Sequence, residues 1–70
     1  MARNVGDEVS WNWGTGTARG TIKEGFEKKV RKTIKGSEIV RNADTDNPAY
    51  LIEQDDGDQV LKSDSELNDQ

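Results

Sequence analysis

The stretch Ala49 to Lys62 constrains the fold most. Two short apolar runs, Tyr50-Leu51-Ile52 and Val60-Leu61, flank the dipeptide Asp56-Gly57. A dipeptide of this kind is a strong hairpin signal, because both central residues of a type I′ turn need positive φ. With Asp56-Gly57 as a two-residue turn, Ile52 falls opposite Leu61. The rest of the chain must supply strands that pack onto this hairpin.

Upstream, Val9, Trp11 and Trp13 alternate with Ser10 and Asn12, a period of two. The three apolar residues therefore share a face, with Trp11 in its middle and Trp13 nearer the end. Gly14-Thr15-Gly16 reads as a turn. Ala18, Gly20 and Ile22 alternate with Arg19, Thr21 and Lys23, so a second strand returns along the first. Gly20 lies mid-strand, where a missing side chain leaves room for a close neighbour; an indole from Trp11 or Trp13 would fit there.

Residues 24–35 admit two readings. Phe26, Val30 and Ile34 recur at helical spacing, and Glu24–Lys28 and Glu27–Arg31 are helical ion pairs. A turn at Gly36-Ser37 instead places Ile34 opposite Ile39 and Lys35 opposite Glu38. The hairpin is preferred because one turn placement satisfies both pairings. Asn42 to Pro48 is a loop of Asx-turn formers. Ser63 to Leu67 reads as one short turn, with Leu67 as a last core anchor. The expected strands are 8–13, 18–24, 29–35, 38–42, 49–54 and 58–62. Met1 to Asn4 and residues 68–70 are expected to be loose ends.

Seventy residues make one small domain, 1–70, with an ordered core over about 5–67. Five or six short antiparallel strands around one small core give an all-β fold, for which the SH3-like barrel is the economical solution. The absence of Cys and His removes thiol nucleophiles, imidazole acid–base chemistry and most transition-metal sites. No apolar run suggests a leader or a membrane span, so a cytoplasmic monomer without cofactor is expected. Charge is uneven: residues 19–41 carry eight basic and three acidic side chains, residues 42–70 one basic and nine acidic.

Val5-Gly6-Asp7-Glu8-Val9-Ser10-Trp11, Gly16-Thr17-Ala18-Arg19-Gly20-Thr21-Ile22, Arg41-Asn42-Ala43-Asp44, Asn47-Pro48-Ala49-Tyr50-Leu51-Ile52-Glu53 and Val60-Leu61-Lys62 with Ser65-Glu66-Leu67 follow one another along nearly the whole chain. In this order they resemble the hypervirulence-associated protein TUDOR domain family. The resemblance implies a Tudor-type SH3-like barrel. It brings no catalytic or binding residues with it.

Tudor barrels in general hold methylated Lys or Arg in cages of three or four aromatics. This chain has four aromatics, Trp11, Trp13, Phe26 and Tyr50, and core packing has first claim on them. The candidate ligand site is Trp13 and Tyr50 at a barrel mouth, with Asp44 or Asp46 as counter-charge. A second candidate is a nucleic-acid surface of Lys28, Lys29, Arg31, Lys32, Lys35 and Arg41. Arg31 and Lys29 fall on one face and Lys32 and Arg41 on the other, so the patch is split, and the acidic tail opposes it. Asn42, Asp44, Asp46 and Glu53 have the spacing of four calcium ligands in an EF-hand loop, but flanking helices are missing and Glu53 falls on a strand. An Asx loop bonding its own backbone is the preferred account, and no metal is assigned. Nothing in the chain supports catalysis. The functional expectation is a non-enzymatic module binding a protein or peptide. Nucleic-acid binding through the 28–41 hairpin is the alternative, and pairing of copies through the free edge of that hairpin is a third.

Overall fold

A computed structural model describes residues 3–68. Six strands form: β1 Glu8–Trp13, β2 Gly16–Phe26, β3 Val30–Ile34, β4 Ser37–Arg41, β5 Ala49–Gln54 and β6 Gln59–Ser63. A single 3-10 turn, Asp64–Glu66, follows. The segment 24–35 is the end of β2 and the start of a hairpin, not a helix. Its β-branched Val30, Thr33 and Ile34 and the Gly36 turn outweigh the helical pairing of charges.

The strands make a curled antiparallel half-barrel ordered β1-β2-β5-β6, with β3-β4 as a separate two-stranded ribbon. The ribbon is an insertion between β2 and β5, which pair directly through Phe26 and Ala49. The described residues flanking the strands are held more firmly than expected. The Gly6 amide donates to the Ile22 carbonyl at 2.8 Å, the Arg3 side chain to Asp64 at 2.8 Å, and the Asn68 amide to the Ser10 carbonyl at 2.8 Å. Arg3, Asn4 and Asn68 are therefore anchored; Met1, Ala2, Asp69 and Gln70 lie outside the described residues.

Two turn registers differ from the sequence reading. The β5–β6 loop has three residues, 55–57, not two. The Gln54 amide donates to the Asp58 carbonyl, and the Gly57 amide to the Gln54 carbonyl, with Gly57 alone at positive φ. This is a type I turn closed by a glycine bulge. Asp56 stays at negative φ and its carboxylate takes the Asp58 amide at 2.9 Å. Ile52 consequently faces Val60, and Leu51 faces Leu61. In the ribbon the turn is Lys35-Gly36, both at positive φ, as type I′ requires. Ile34 pairs with Ser37 and Ile39 with Lys32. Moving the turn by one residue places Gly36 at the second central position, while Lys35 takes the left-handed strain. The Lys35 side chain goes to Asp58 rather than Glu38, which pairs with Arg31.

Strand β5 is buried on both faces, from Ala49 to Ile52. Tyr50 and Ile52 join Val9, Trp11, Ile22 and Leu67 in one cluster. Ala49 and Leu51 join Val30 and Leu61 in another, under the ribbon's Ile34 and Ile39. A bulge in β2 between Ile22 and Glu24 lets one strand serve both clusters. Ile22 lies opposite Ile52; after the extra residue, Phe26 lies opposite Ala49 on the other face, because one residue of slip reverses every later side chain.

Candidate functional site

Strand β1 runs past the end of the first cluster. Trp11 is 3% exposed and Trp13 is 69% exposed, although both belong to the same alternation. The cause is local. Trp13 pairs with Gly16 across the two-residue turn at Gly14, and neither glycine offers a side chain to cover it. The free edge of β1 is closed at one end only. The Ser10 carbonyl takes the Asn68 amide, and the Asn68 side chain reaches Ser10 Oγ and Asn12 Oδ1 at 3.3 and 3.4 Å. By strand alternation the Asn12 main chain points the same way as that of Ser10. It has no main-chain partner among the described residues.

Beyond Asn12 a groove of about 490 Å³ opens between β1 and β6. Trp11 and Val60 lie along it, with Trp13 at one wall and Lys35, Asp58 and Lys62 around it. The Asp58 carboxylate, by its hydrogen bond and then its charge, holds the Lys35 ammonium above its usual pKa. Glu66 is shared between Arg41 at 3.2 Å and Lys62 at 3.8 Å. Burial opposes ionisation of Glu66, but the Ser63 amide and then Arg41 and Lys62 outweigh it and keep its pKa below the usual value. The groove can therefore offer an aromatic wall, an unpaired stretch of backbone and a modest excess of positive charge.

The four expected ligand residues do not come together. Tyr50 is fully buried in the first cluster and contributes nothing to the mouth. Consecutive burial of Ala49 to Ile52 explains this: a strand buried on both faces has no rim position. Asp44 is spent locally, its Oδ1 accepting the amides of Asp46 at 2.9 Å and Asn47 at 2.7 Å. Asp46 is exposed in the same loop. Glu53 pairs with Lys23 at 3.6 Å on the sheet. Among the described residues no three acidic side chains converge on a common point. No aromatic cage forms either. Trp11 and Tyr50 are core, and Phe26 is half-buried with Lys32 Nζ 5.2 Å above its ring. The groove residues Asn12, Gln54 and Gln59 were not legible as a site, since their meeting depends on how far the sheet curls.

The basic residues are largely neutralised within the chain. Arg31 pairs with Glu38, Lys32 with Glu24, Lys35 with Asp58 and Arg41 with Glu66. Lys28 and Lys29 are exposed beside them. Arg31 is exposed and Lys32 half-covered beneath the ribbon, so the patch is split between two faces, as its alternation implies.

Tyr50 carries one unusual feature. Among the described residues its hydroxyl is buried with no hydrogen-bond partner, although the Arg3 backbone lies near enough to oppose the rise in its pKa. Burial is the main reason its pKa is raised. A buried polar group left unpaired costs about 1–3 kcal/mol. Tyr50→Phe should therefore raise stability by about 1 kcal/mol in a urea melt. A loss of that size would mean that the hydroxyl has an ordered water or another partner.

The sequence pattern of the TUDOR domain of hypervirulence-associated proteins matches residues 6–67. The chain belongs to this family. The match covers all six strands and the 3-10 turn, so the TUDOR domain and the described half-barrel are the same unit. Membership supports an interaction module of Tudor type. No curated protein and no solved structure matches the chain. Among the described residues no helix is long and apolar enough to cross a membrane.

Proposed function

We propose that this TUDOR domain is a non-catalytic module that takes an extended peptide of a partner protein into the groove between β1 and β6, with Trp13 as its anchor. The observation that carries this reading is the exposed indole of Trp13 beside the groove. In a chain with only four aromatics, a tryptophan left in water is available for binding. Tryptophan is also enriched among the few residues that dominate interface energies. The unpartnered main chain of Asn12 suits an extended backbone. Lys35 and Lys62 against Asp58 suit a peptide carrying an acidic side chain.

The test is selection of random ten-residue peptides on the immobilised domain, followed by titration of the winners. Trp13→Ala should weaken binding of at least one recovered class about thirtyfold, as for a residue worth about 2 kcal/mol at an interface. Its urea midpoint should move little. Equal affinity of every recovered peptide for Trp13→Ala would remove Trp13 from the site. Retention of DNA or RNA at low salt, abolished by replacing Lys29, Arg31 and Lys35 with Glu, would favour the nucleic-acid reading instead.

A further inference from the structure

A second groove, of about 360 Å³, lies on the other side of β6, between that strand and the ribbon. Ile34 and Ile39 of the ribbon and Val60 and Leu61 of β6 give it an apolar lining. Lys35, Arg41 and Lys62 complete it, and no acidic residue lines it. The Lys62 side chain is only 24% exposed and that of Arg41 33%, so these cations lie along the groove rather than project from it. Glu66 serves both Arg41 and Lys62, which leaves one positive charge in excess.

The backbone on both sides is unpaired. The Gln54–Asp58 bond fixes the β5–β6 ladder, so bonded pairs alternate from there. Gln59 and Leu61 accordingly point their N–H and C=O groups away from β5. Ser63, next in that series, gives its amide to Glu66 at 2.8 Å, as an outward group must. In the ribbon, Ile34 and Ser37 flank a two-residue turn and are a bonded pair. Glu38 and Val40 therefore point away from β3. The Val40 carbonyl already accepts Arg41 Nη1 at 3.1 Å; the Val40 amide and both Glu38 groups have no main-chain partner among the described residues.

We propose that this gap is a strand-addition slot for an extended peptide of a partner protein, with apolar side chains at alternate positions and one carboxylate. Its backbone would pair with the Gln59 and Leu61 edge. Its apolar side chains would lie on Ile34 and Ile39, and its carboxylate would meet Arg41 and Lys62. Period-two spacing follows from the strand geometry itself. A fatty acid fits the charge and the apolar lining but has no amides to meet the strand edge. A second copy fits less well. Two-fold pairing through this edge would bring both sets of Lys35, Arg41 and Lys62 together.

The slot shares Lys35, Gln59, Val60 and Lys62 with the Trp13 groove, but Ile34, Ile39 and Arg41 line the slot alone, and the experiment uses that difference to keep the two apart. Ten-residue random peptides are selected on the full chain carrying Trp13→Ala. The recovered sequences should alternate apolar residues and contain at least one Asp or Glu. Their affinity should fall at least tenfold on Arg41→Glu, a change outside the Trp13 groove, with circular dichroism unchanged. N-methylation at alternate peptide positions should abolish binding, and the peptide should slow hydrogen exchange at the Gln59 and Leu61 amides. Recovery of no peptide, insensitivity to N-methylation, or unchanged exchange at those amides would overturn the proposal. So would a dimer in sedimentation that protects the same amides without peptide, or binding of fatty-acid vesicles that Arg41→Glu removes while peptides are ignored. Loss of the mouth site alone leaves this outcome intact, because the selection is made without Trp13 and Arg41 does not line the mouth groove.

Discussion

Trp11→Ala should lower the stability of the domain by about 3–5 kcal/mol, enough to unfold it if the whole is worth about 5 kcal/mol or less. Trp11 is 3% exposed and lies in the cluster formed by Val9, Ile22, Tyr50, Ile52 and Leu67. Truncating a buried aromatic costs about 3–5 kcal/mol, part lost transfer energy and part cavity. A domain of this length has a total stability of about 4–10 kcal/mol. The core holds few large side chains, so little can collapse into the vacancy. Trp13→Ala is the internal control. Its indole is 69% exposed, and the same truncation there should change stability by no more than about 0.5 kcal/mol. Urea melts read by circular dichroism separate the two variants. A folded Trp11→Ala beside an unfolded Trp13→Ala would reverse the inside–outside assignment of β1, and with it the mouth site.

Gly20→Ala should destabilise the domain by about 3 kcal/mol, at the upper end of overpacking effects. A Cβ built at Gly20 would stand 2.6 Å from the Glu53 carbonyl oxygen and 2.7 Å from Ile52 Cγ2. The first obstacle is backbone, so no rotamer change relieves it. Strand β5 would have to move, and the β2–β5 ladder would be disturbed at its Gly20–Gln54 end. Gly16→Ala is the contrast. Its nearest new neighbour is 3.9 Å away and its φ is not positive, so the change should stay within about 0.5 kcal/mol. Equal melts for the two alanine variants would show that the sheets adjust at Gly20 without cost.

Much of this fold was legible because its signals are local. Alternation marked each strand within about two residues, and the difference between Trp11 and Trp13 followed from distance to the Gly14 turn. The close neighbour of Gly20 was anticipated in kind but not in identity: β5 takes the space that an indole was expected to fill. Both turn registers were misplaced by one residue, since Asp56-Gly57 and Gly36-Ser37 signal a turn without fixing its length or type. The β2 bulge left no mark in the sequence, and with it the transfer of Phe26 to the second cluster was hidden. The candidate site fared worse than the fold. Trp13 is exposed, as its place beside the turn implied, but Tyr50 was placed at a mouth it does not reach, and Asp44 is consumed by its own loop. A groove depends on how far a sheet curls, and curl is a sum over strands that no single motif encodes.

The ribbon β3–β4 shares no ladder with the four-stranded sheet. Among the described residues side chains fasten it, through Val30, Ile34 and Ile39 on Leu51 and Leu61, and through the ion pairs Lys32–Glu24, Lys35–Asp58 and Arg41–Glu66. Apolar contacts and surface ion pairs have no fixed register, so they yield by sliding where a hydrogen-bonded ladder would have to break. The ribbon is thus held by a different kind of contact from those inside the sheet it covers, which is complete in its own pairing. A tilt of the ribbon would break none of the ladder bonds between β1, β2, β5 and β6. Such a part behaves as an adjustable jaw on a rigid frame: the frame sets where a partner lies, and the jaw sets how thick a partner can be.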